Sequence, residues 1–248
     1  MLNFMSGICI FIVYKKRSMK KLSSYKFLIK QILLLFVFIS CYAANAQPFI
    51  NEIKAFRKAD SITTPPKNAV LLIGSSSFTK WKDVQDYFPA HTMLNRGFGG
   101  SSLTDVIYYV NDVILKYKPK QILIYCGEND IAGSTSVTAD TVFERFKTLY
   151  TIIRSKFKKV PIGFISMKPS PSREKYLETM QKGNAMIKSF MEHEKKSSYI
   201  DVYSSMLDAN GKILTHIFLS DKLHMNAEGY KIWQGIIAPY LVNHLSTK

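Results

Sequence analysis

Three consecutive serines, Ser75, Ser76 and Ser77, follow Gly74 at the end of the apolar run Val70 to Ile73. A hydroxyl becomes a useful nucleophile only when a base takes its proton, and Asp221-Lys222-Leu223-His224 offers one far along the chain. A carboxylate three residues before a histidine, within a loop, can hold Nδ1–H and leave Nε2 facing a serine. His224 also precedes a helix start capped by Asn226, whose positive end disfavours an imidazolium. Asp221 offsets that effect and stabilises the charge that forms when the imidazole takes a serine proton. Two more segments, R-G-F-G-G-S-S (96–102) and G-E-N-D (127–130), add backbone amides freed by glycine and the side-chain amide of Asn129. A hydroxyl, a base, an acid and several N–H donors are the parts of acyl transfer. Taken singly, each block also has a structural reading: a strand-to-helix turn, a turn pair at Asn129-Asp130, or a solvated helix cap at Asp221 and His224.

These residues act together only if the fold gathers them. Val70–Ile73 and 121–126 are unbroken apolar runs, which suit strands buried on both faces of a parallel sheet. Gly74 lets the backbone turn sharply after the first of them. A leading helix over Pro48 to Ala59 and a polar linker at 61–68 precede that strand. A short strand, Thr92 to Asn95, and a helix with apolar residues at Val106, Ile107, Val110, Val113, Ile114 and Tyr117 follow. Val142, Phe143, Phe146, Leu149, Tyr150, Ile153 and Phe157 mark another amphipathic helix. Then come a strand at Pro161 to Ser166, the loop M-K-P-S-P-S-R (167–173), a helix through Tyr176, Leu177, Met180 and Met186, and a strand near Tyr199 to Val202. The last helix carries Tyr230, Trp233, Ile236, Ile237, Tyr240 and Leu241 on a core face. Strands alternating with helices imply right-handed crossovers, hence a single three-layer α/β domain. In such a sheet the segments 74–77, 97–102 and 127–130 lie on one edge and converge on one crevice.

The formal charge of +16 in 248 residues suggests nucleic acid until it is located. Residues 1–46 hold seven basic residues and no acidic ones, which leaves +9 spread along the remaining helices and loops. A dispersed excess of that kind is a solvated face rather than a binding stripe, so no nucleic-acid partner is expected. Lys15 to Lys30 followed by the apolar Ile32 to Ile39 and by Ala44-Asn45-Ala46 has the layout of a leader. It predicts an N-terminal extension and signal peptide over 1–46, export to the periplasm or medium, and a domain over 47–248. Met19 is an alternative start, and Cys41, in a loose lipobox, an alternative anchor. The apolar core is too short for a comfortable span, so no stable membrane segment is expected after leader removal. Cys126 would then be the lone thiol of the mature chain and reads as a small buried hydrophobe. No H-E-x-x-H or C-x-x-C spacing occurs, so no metal site is expected. His91, His193, His216 and His244 have no comparable company, and Lys168 and Arg173 flank a loop on the site's edge, where the commoner outcome is a solvent-facing side chain and the alternative a contact with an anionic substrate group.

The four blocks G-S-S-S, R-G-F-G-G-S, G-E-N-D and D-x-x-H resemble, in order, those of the SGNH or GDSL-type hydrolases. N-R-G-F-G-G-S, K-P-S-P-S-R and D-K-L-H-M-N-A-E-G-Y are especially similar to the bacterial branch related to platelet-activating-factor acetylhydrolase. The resemblance covers about Val70 to Leu241. It implies a flavodoxin-like parallel sheet of about five strands and serine-dependent ester hydrolysis without a cofactor. By the same resemblance Ser76 is the nucleophile, His224 the base and Asp221 its orienting acid. Gly100 N–H, Asn129 and the Ser76 N–H are then the oxyanion donors. One departure is Ser75, which stands where the name-giving motif has aspartate. The substrate expectation is a short, acetyl-type ester on carbohydrate or envelope material. The alternatives are a lysophospholipase or thioesterase for longer acyl chains and a catalytically silent glycan-binding domain.

Overall fold

The computed structural model describes residues 30–31 and 47–243. The expectations about the leader, Met19, Cys41 and the cleavage at Ala46 therefore lie outside the described residues, as does His244. The chain divides into two compact units, Met1–Pro48 and Phe49–Lys248, and the second carries the fold below.

Helix α1 (Ile50–Ile62) leads into β1 (Val70–Gly74), α2 (Ser76–Lys80), α3 (Val84–Tyr87) and β2 (Met93–Gly97). Then follow α4 (Leu103–Tyr108), a π-helical turn (Asn111–Leu115), β3 (Gln121–Tyr125), α5 (Glu128–Gly133), α6 (Ala139–Lys156) and β4 (Ile162–Ile165). A 3₁₀ turn (Pro171–Tyr176), α7 (Leu177–His193), β5 (Ser197–Ile200) and two more 3₁₀ turns (Ser204–Met206, Thr215–Ile217) precede α8 (Ala227–Ile237) and a closing 3₁₀ turn (Ala238–Tyr240). The five strands pair in parallel in the order β2-β1-β3-β4-β5. This is the flavodoxin-like order, whose reversal point lies between β1 and β3.

The sheet is buried on both faces, as the apolar runs require. Leu71 and Ile73 of β1, Ile122 and Ile124 of β3, and Ile162 and Phe164 of β4 pack with α1, α4, α6 and α7. Val70, Leu72, Leu123, Tyr125 and Ile165 face the other layer, built from Phe78, Trp81, Val84, Trp233 and Ile237. Each such fully buried side chain contributes about 1.5–3 kcal/mol. The rings of Phe78, Trp81, Tyr125 and Tyr230 surround Trp233 at centroid distances of 4.8–6.4 Å, locking α8 onto this face.

Several elements differ from expectation for local reasons. The leading helix starts at Ile50, because Phe49 has φ 64°, and runs on to Ile62. The helix expected through Tyr117 breaks after Tyr108 and continues as the π turn. There the Tyr109 carbonyl accepts from both Asp112 N–H and Val113 N–H. The wider turn helps bury Val110, Val113, Ile114 and Tyr117 together. The fifth strand ends at Ile200; Val202 N–H leaves the ladder for the Ser166 Oγ, 3.0 Å away. The last helix stops at Ile237, and Tyr240 lies exposed rather than in the core, its carbonyl taking a bond from Gln121 Nε2.

Candidate active site

Gly74 ends β1 with φ +128°, and a Cβ there would stand 1.9 Å from the Tyr125 carbonyl oxygen. Only glycine lets the chain pass so close to β3 and turn directly into α2. That turn separates the three serines. Ser75 is buried and its N–H donates to the Tyr125 carbonyl at 3.0 Å; Ser77 is buried, with its carbonyl taking the Tyr230 hydroxyl at 2.8 Å. Ser76 alone of the three is only partly buried. As the first residue of α2, its N–H has no intrahelical partner.

The second segment leaves β2 and folds back over the first. Phe98 N–H and Ser101 Oγ both donate to the Gly74 carbonyl, at 2.9 and 3.1 Å. A Cβ built on Gly99 would lie 4.0 Å from Ser76 Cβ, so this loop is packed close to that serine. Gly100 has φ +86°, and among the described residues neither its N–H nor that of Ser76 is taken by another protein group. Ser102 caps α4 in a reciprocal capping box with Asp105, which fixes where the loop ends.

The third segment joins the first two directly. Asn129 Nδ2 donates to Ser75 Oγ at 2.6 Å and to the Ser101 carbonyl at 3.0 Å. Its Oδ1 accepts from Arg173 Nη2 at 3.3 Å. Both amide hydrogens are thus engaged within the protein, and Asn129 can serve an oxyanion only by sharing the one aimed at Ser75 Oγ. On either side of Asn129 stand two buried acids. Asp130 takes Leu103 N–H and Arg145 Nη1, both at 2.8 Å; burial lifts its carboxyl above the usual range despite these donors. Glu128 meets Lys168 Nζ, 3.3 Å from each carboxylate oxygen, in a pair almost wholly out of water.

The fourth segment is a tight turn before α8. His224 Nδ1 lies 2.6 Å from Asp221 Oδ2, while Leu223 N–H and His224 N–H donate to Oδ1. The bonds from His224's ring and backbone and from Leu223 hold the Asp221 carboxyl well below the usual carboxylate range. Lys222 takes φ 55° to make the turn, and Leu219 N–H donates to the His224 carbonyl. His224 Nε2 is buried and has no hydrogen-bond partner among the described residues. Asn226 caps α8 as expected, accepting from Glu228 N–H and Gly229 N–H. Two contacts tie this turn to the rest of the site: Tyr230 of α8 to the Ser77 carbonyl, and Ser172 N–H to the Lys222 carbonyl.

Of the predicted residues, Asn129 bonds Ser75 Oγ and the Ser101 carbonyl, and Asp221 and His224 form a second pair. Tyr230 of α8 and the 170–173 loop tie the turn of that pair to the rest of the site, and among the described residues no hydrogen bond joins Ser76 to His224 or to Gly100. Lys168 departs from expectation, being neither solvent-facing nor unpaired: it is buried at 1% exposure against Glu128. Cys126 is buried, its Sγ 3.6 Å from the Ser101 carbonyl, as a structural thiol would be. Of the other histidines, His193 bonds the Ser189 carbonyl, His216 lies 4.0 Å from Glu228, and His91 contacts Lys120. Sequence reasoning missed Asp130 as an anchor of α4 and Glu128 as the partner of Lys168. Their only mark is the placement of two acids at a strand end that the fold buries. Among the described residues no group of three or more His, Cys, Asp and Glu is placed to hold a metal ion, and no helix is long and apolar enough to cross a membrane.

Comparison with known proteins agrees with the fold. No curated protein matches the sequence. Among solved structures, the chain is similar to a Streptococcus pneumonia protein provisionally named a platelet activating factor, with TM-score 0.69 and 18% identity over 85% of this chain and 99% of that one. It is also similar to a GDSL-like lipase from Bacteroides thetaiotaomicron, with TM-score 0.64 and 20% identity over 76% and 96%. A carbohydrate esterase family 3 protein from Talaromyces cellulolyticus gives TM-score 0.56 and 16% identity over 70% and 95%. At these identities the likeness speaks for the fold. The family profile described as GDSL-like Lipase/Acylhydrolase matches residues 60–232, most of the folded unit, and so the chain belongs to that family of ester-hydrolysing serine enzymes.

Proposed function

We propose that this protein is an exported esterase that releases short acyl groups, acetyl above all, from carbohydrate or envelope material through an acyl-enzyme. Ser76 Oγ attacks the ester carbonyl carbon while its proton passes to His224 Nε2, and Asp221 stabilises the imidazolium at Nδ1. The carbonyl oxygen, now carrying the charge, is met by the N–H groups of Ser76 and Gly100 and by Asn129 Nδ2. Collapse breaks the C–O bond to the alcohol, which leaves with the proton from His224. Water, deprotonated by the same imidazole, then attacks the acyl-Ser76 carbonyl; the acid departs and Ser76 recovers its proton.

The observation that carries this reading is the state of His224. Its Nδ1 is held by a carboxylate 2.6 Å away, while its Nε2 is buried and without a protein partner. A buried ring nitrogen left unbonded costs about 1–3 kcal/mol, a cost a fold keeps where the atom has work to do. That Ser76 alone of the three serines is only partly buried supports its choice as nucleophile. The basic and apolar segments before Ala46 support export. The likeness to a carbohydrate esterase agrees with a sugar-borne ester.

A series of p-nitrophenyl esters from two to twelve carbons tests the substrate range. The account expects kcat/KM to peak at two to four carbons; a peak above eight would replace it with a long-chain lipase or thioesterase.

A further inference from the structure

We propose that Arg173 forms an anion-recognition subsite beside the reacting centre, so that the esters taken best carry a carboxylate or phosphate near the bond that is cut. This rests on the esterase reading above and adds a substrate class to it.

The arginines of the described residues show why Arg173 stands apart. Arg57 pairs with Asp112, Arg96 with Asp60, and Arg145 with Asp130. Arg154 spreads its guanidinium over the carbonyls of Phe157, Val160, Lys195 and Lys196. Arg173, although partly buried, meets neither a carboxylate nor a backbone carbonyl with its side chain among the described residues. Its one side-chain bond is Nη2 to Asn129 Oδ1 at 3.3 Å, a neutral acceptor. Four of its five N–H groups are uncommitted, in a planar fork that matches a carboxylate or phosphate.

Its position is fixed and lies on the site. Arg173 N–H donates to the Ser170 carbonyl, and Ser172 N–H donates to the Lys222 carbonyl in the turn that carries Asp221 and His224. The guanidinium is therefore set beside Asn129 by a loop bonded to the turn of the base. Lys168, the other cation of this loop, is matched by Glu128, and Asp221 is engaged in hydrogen bonds with His224 and Leu223 rather than with Arg173. Arg173 is left without a salt bridge among the described residues and partly shielded from water, where an ionic contact is less screened than on an open surface.

The test compares mono-O-acetylated glucose, glucuronic acid and glucose 6-phosphate, with wild-type protein, Arg173→Ala and Arg173→Lys. The wild type is expected to favour one or both charged sugars over glucose in kcat/KM by about 10- to 100-fold, the span of a charge-assisted hydrogen bond. Which charged sugar is preferred tells carboxylate from phosphate. Arg173→Ala should bring that ratio to near one, and Arg173→Lys should restore part of it. A wild-type ratio near one, or a ratio that Arg173→Ala leaves intact while all three rates fall together, would overturn the subsite and leave Arg173 as a support for Asn129. Calorimetric binding of the same sugars separates this from the esterase reading. Charge-dependent binding lost in Arg173→Ala, with no hydrolysis by the wild type, keeps the subsite and removes the esterase; binding that ignores charge removes the subsite whatever the turnover.

Discussion

Ser75, Ser76 and Ser77 share one side chain, and their neighbours decide what each can do. Ser75 is bonded to Asn129 and Ser77 is buried with its carbonyl bonded to Tyr230, while Ser76, the proposed nucleophile, is only partly buried. Asn129 is the residue on which three segments converge, so its loss removes the brace between Ser75 and the Ser101 carbonyl and, in the proposed mechanism, an oxyanion donor. Asn129→Ala is expected to lower kcat by about 10²–10³ with a much smaller change in KM, read from steady-state kinetics on a short ester. Asp221 gives a pH signature. Its folded carboxyl lies well below the ordinary value, so the stability it contributes is complete above about pH 4 and is lost only as pH falls through the lowered value. The difference in Tm between wild type and Asp221→Asn should hold steady from pH 7 to about pH 4 and close below it; a gap that closes between pH 7 and 5 would contradict the assignment. The sequence could mark these residues because nucleophile, base and acid are chemical types. It could not give the bonds of Asn129, because these depend on how closely two loops approach.

At the level of elements, the strand ends hold the site still. The backbone carbonyls of Gly74, Tyr125 and Ser101 accept the bonds that join the first three segments, and the Glu128–Lys168 pair braces the end of β3 against the loop after β4. Removing one member leaves the other charge buried and alone. Lys168→Met should therefore cost about 3–5 kcal/mol in denaturant unfolding, and the double variant Glu128→Gln with Lys168→Met should recover most of it. A loss under about 1 kcal/mol for the single variant would mean that water reaches Glu128. The strands were legible because runs such as Val70–Ile73 are apolar at every position. The breaks were not: the π turn after Tyr108 reflects a demand to bury Val110, Val113, Ile114 and Tyr117 together. The end of β5 is set by Ser166, a residue on another strand. Lys168 was misjudged for the same reason, since an exposed and a buried lysine read alike until the acid beside it is located.

Across the whole molecule, the sheet order places β1 at its reversal point, so Ser76 follows an interior strand with Gly100 arriving from β2 and Asn129 from β3. His224, about 150 residues further on, is brought back by α8, which packs Trp233 and Ile237 against the sheet and bonds Tyr230 to the serine turn. Alternation of strands and helices made the parallel sheet legible in the sequence, and the family blocks picked out the segments that meet. Which serine is accessible, and that Arg173 adjoins Asn129, came only from the packed chain. The central claim is that Ser76 is the nucleophile, made reactive by His224. Treating the protein with a fluorophosphonate probe and locating the adduct by peptide mass spectrometry tests it directly. The account predicts one adduct, on Ser76, abolished in Ser76→Ala and strongly slowed in His224→Ala. Modification at Ser75 or Ser77, or no covalent labelling of the folded wild type, would contradict it.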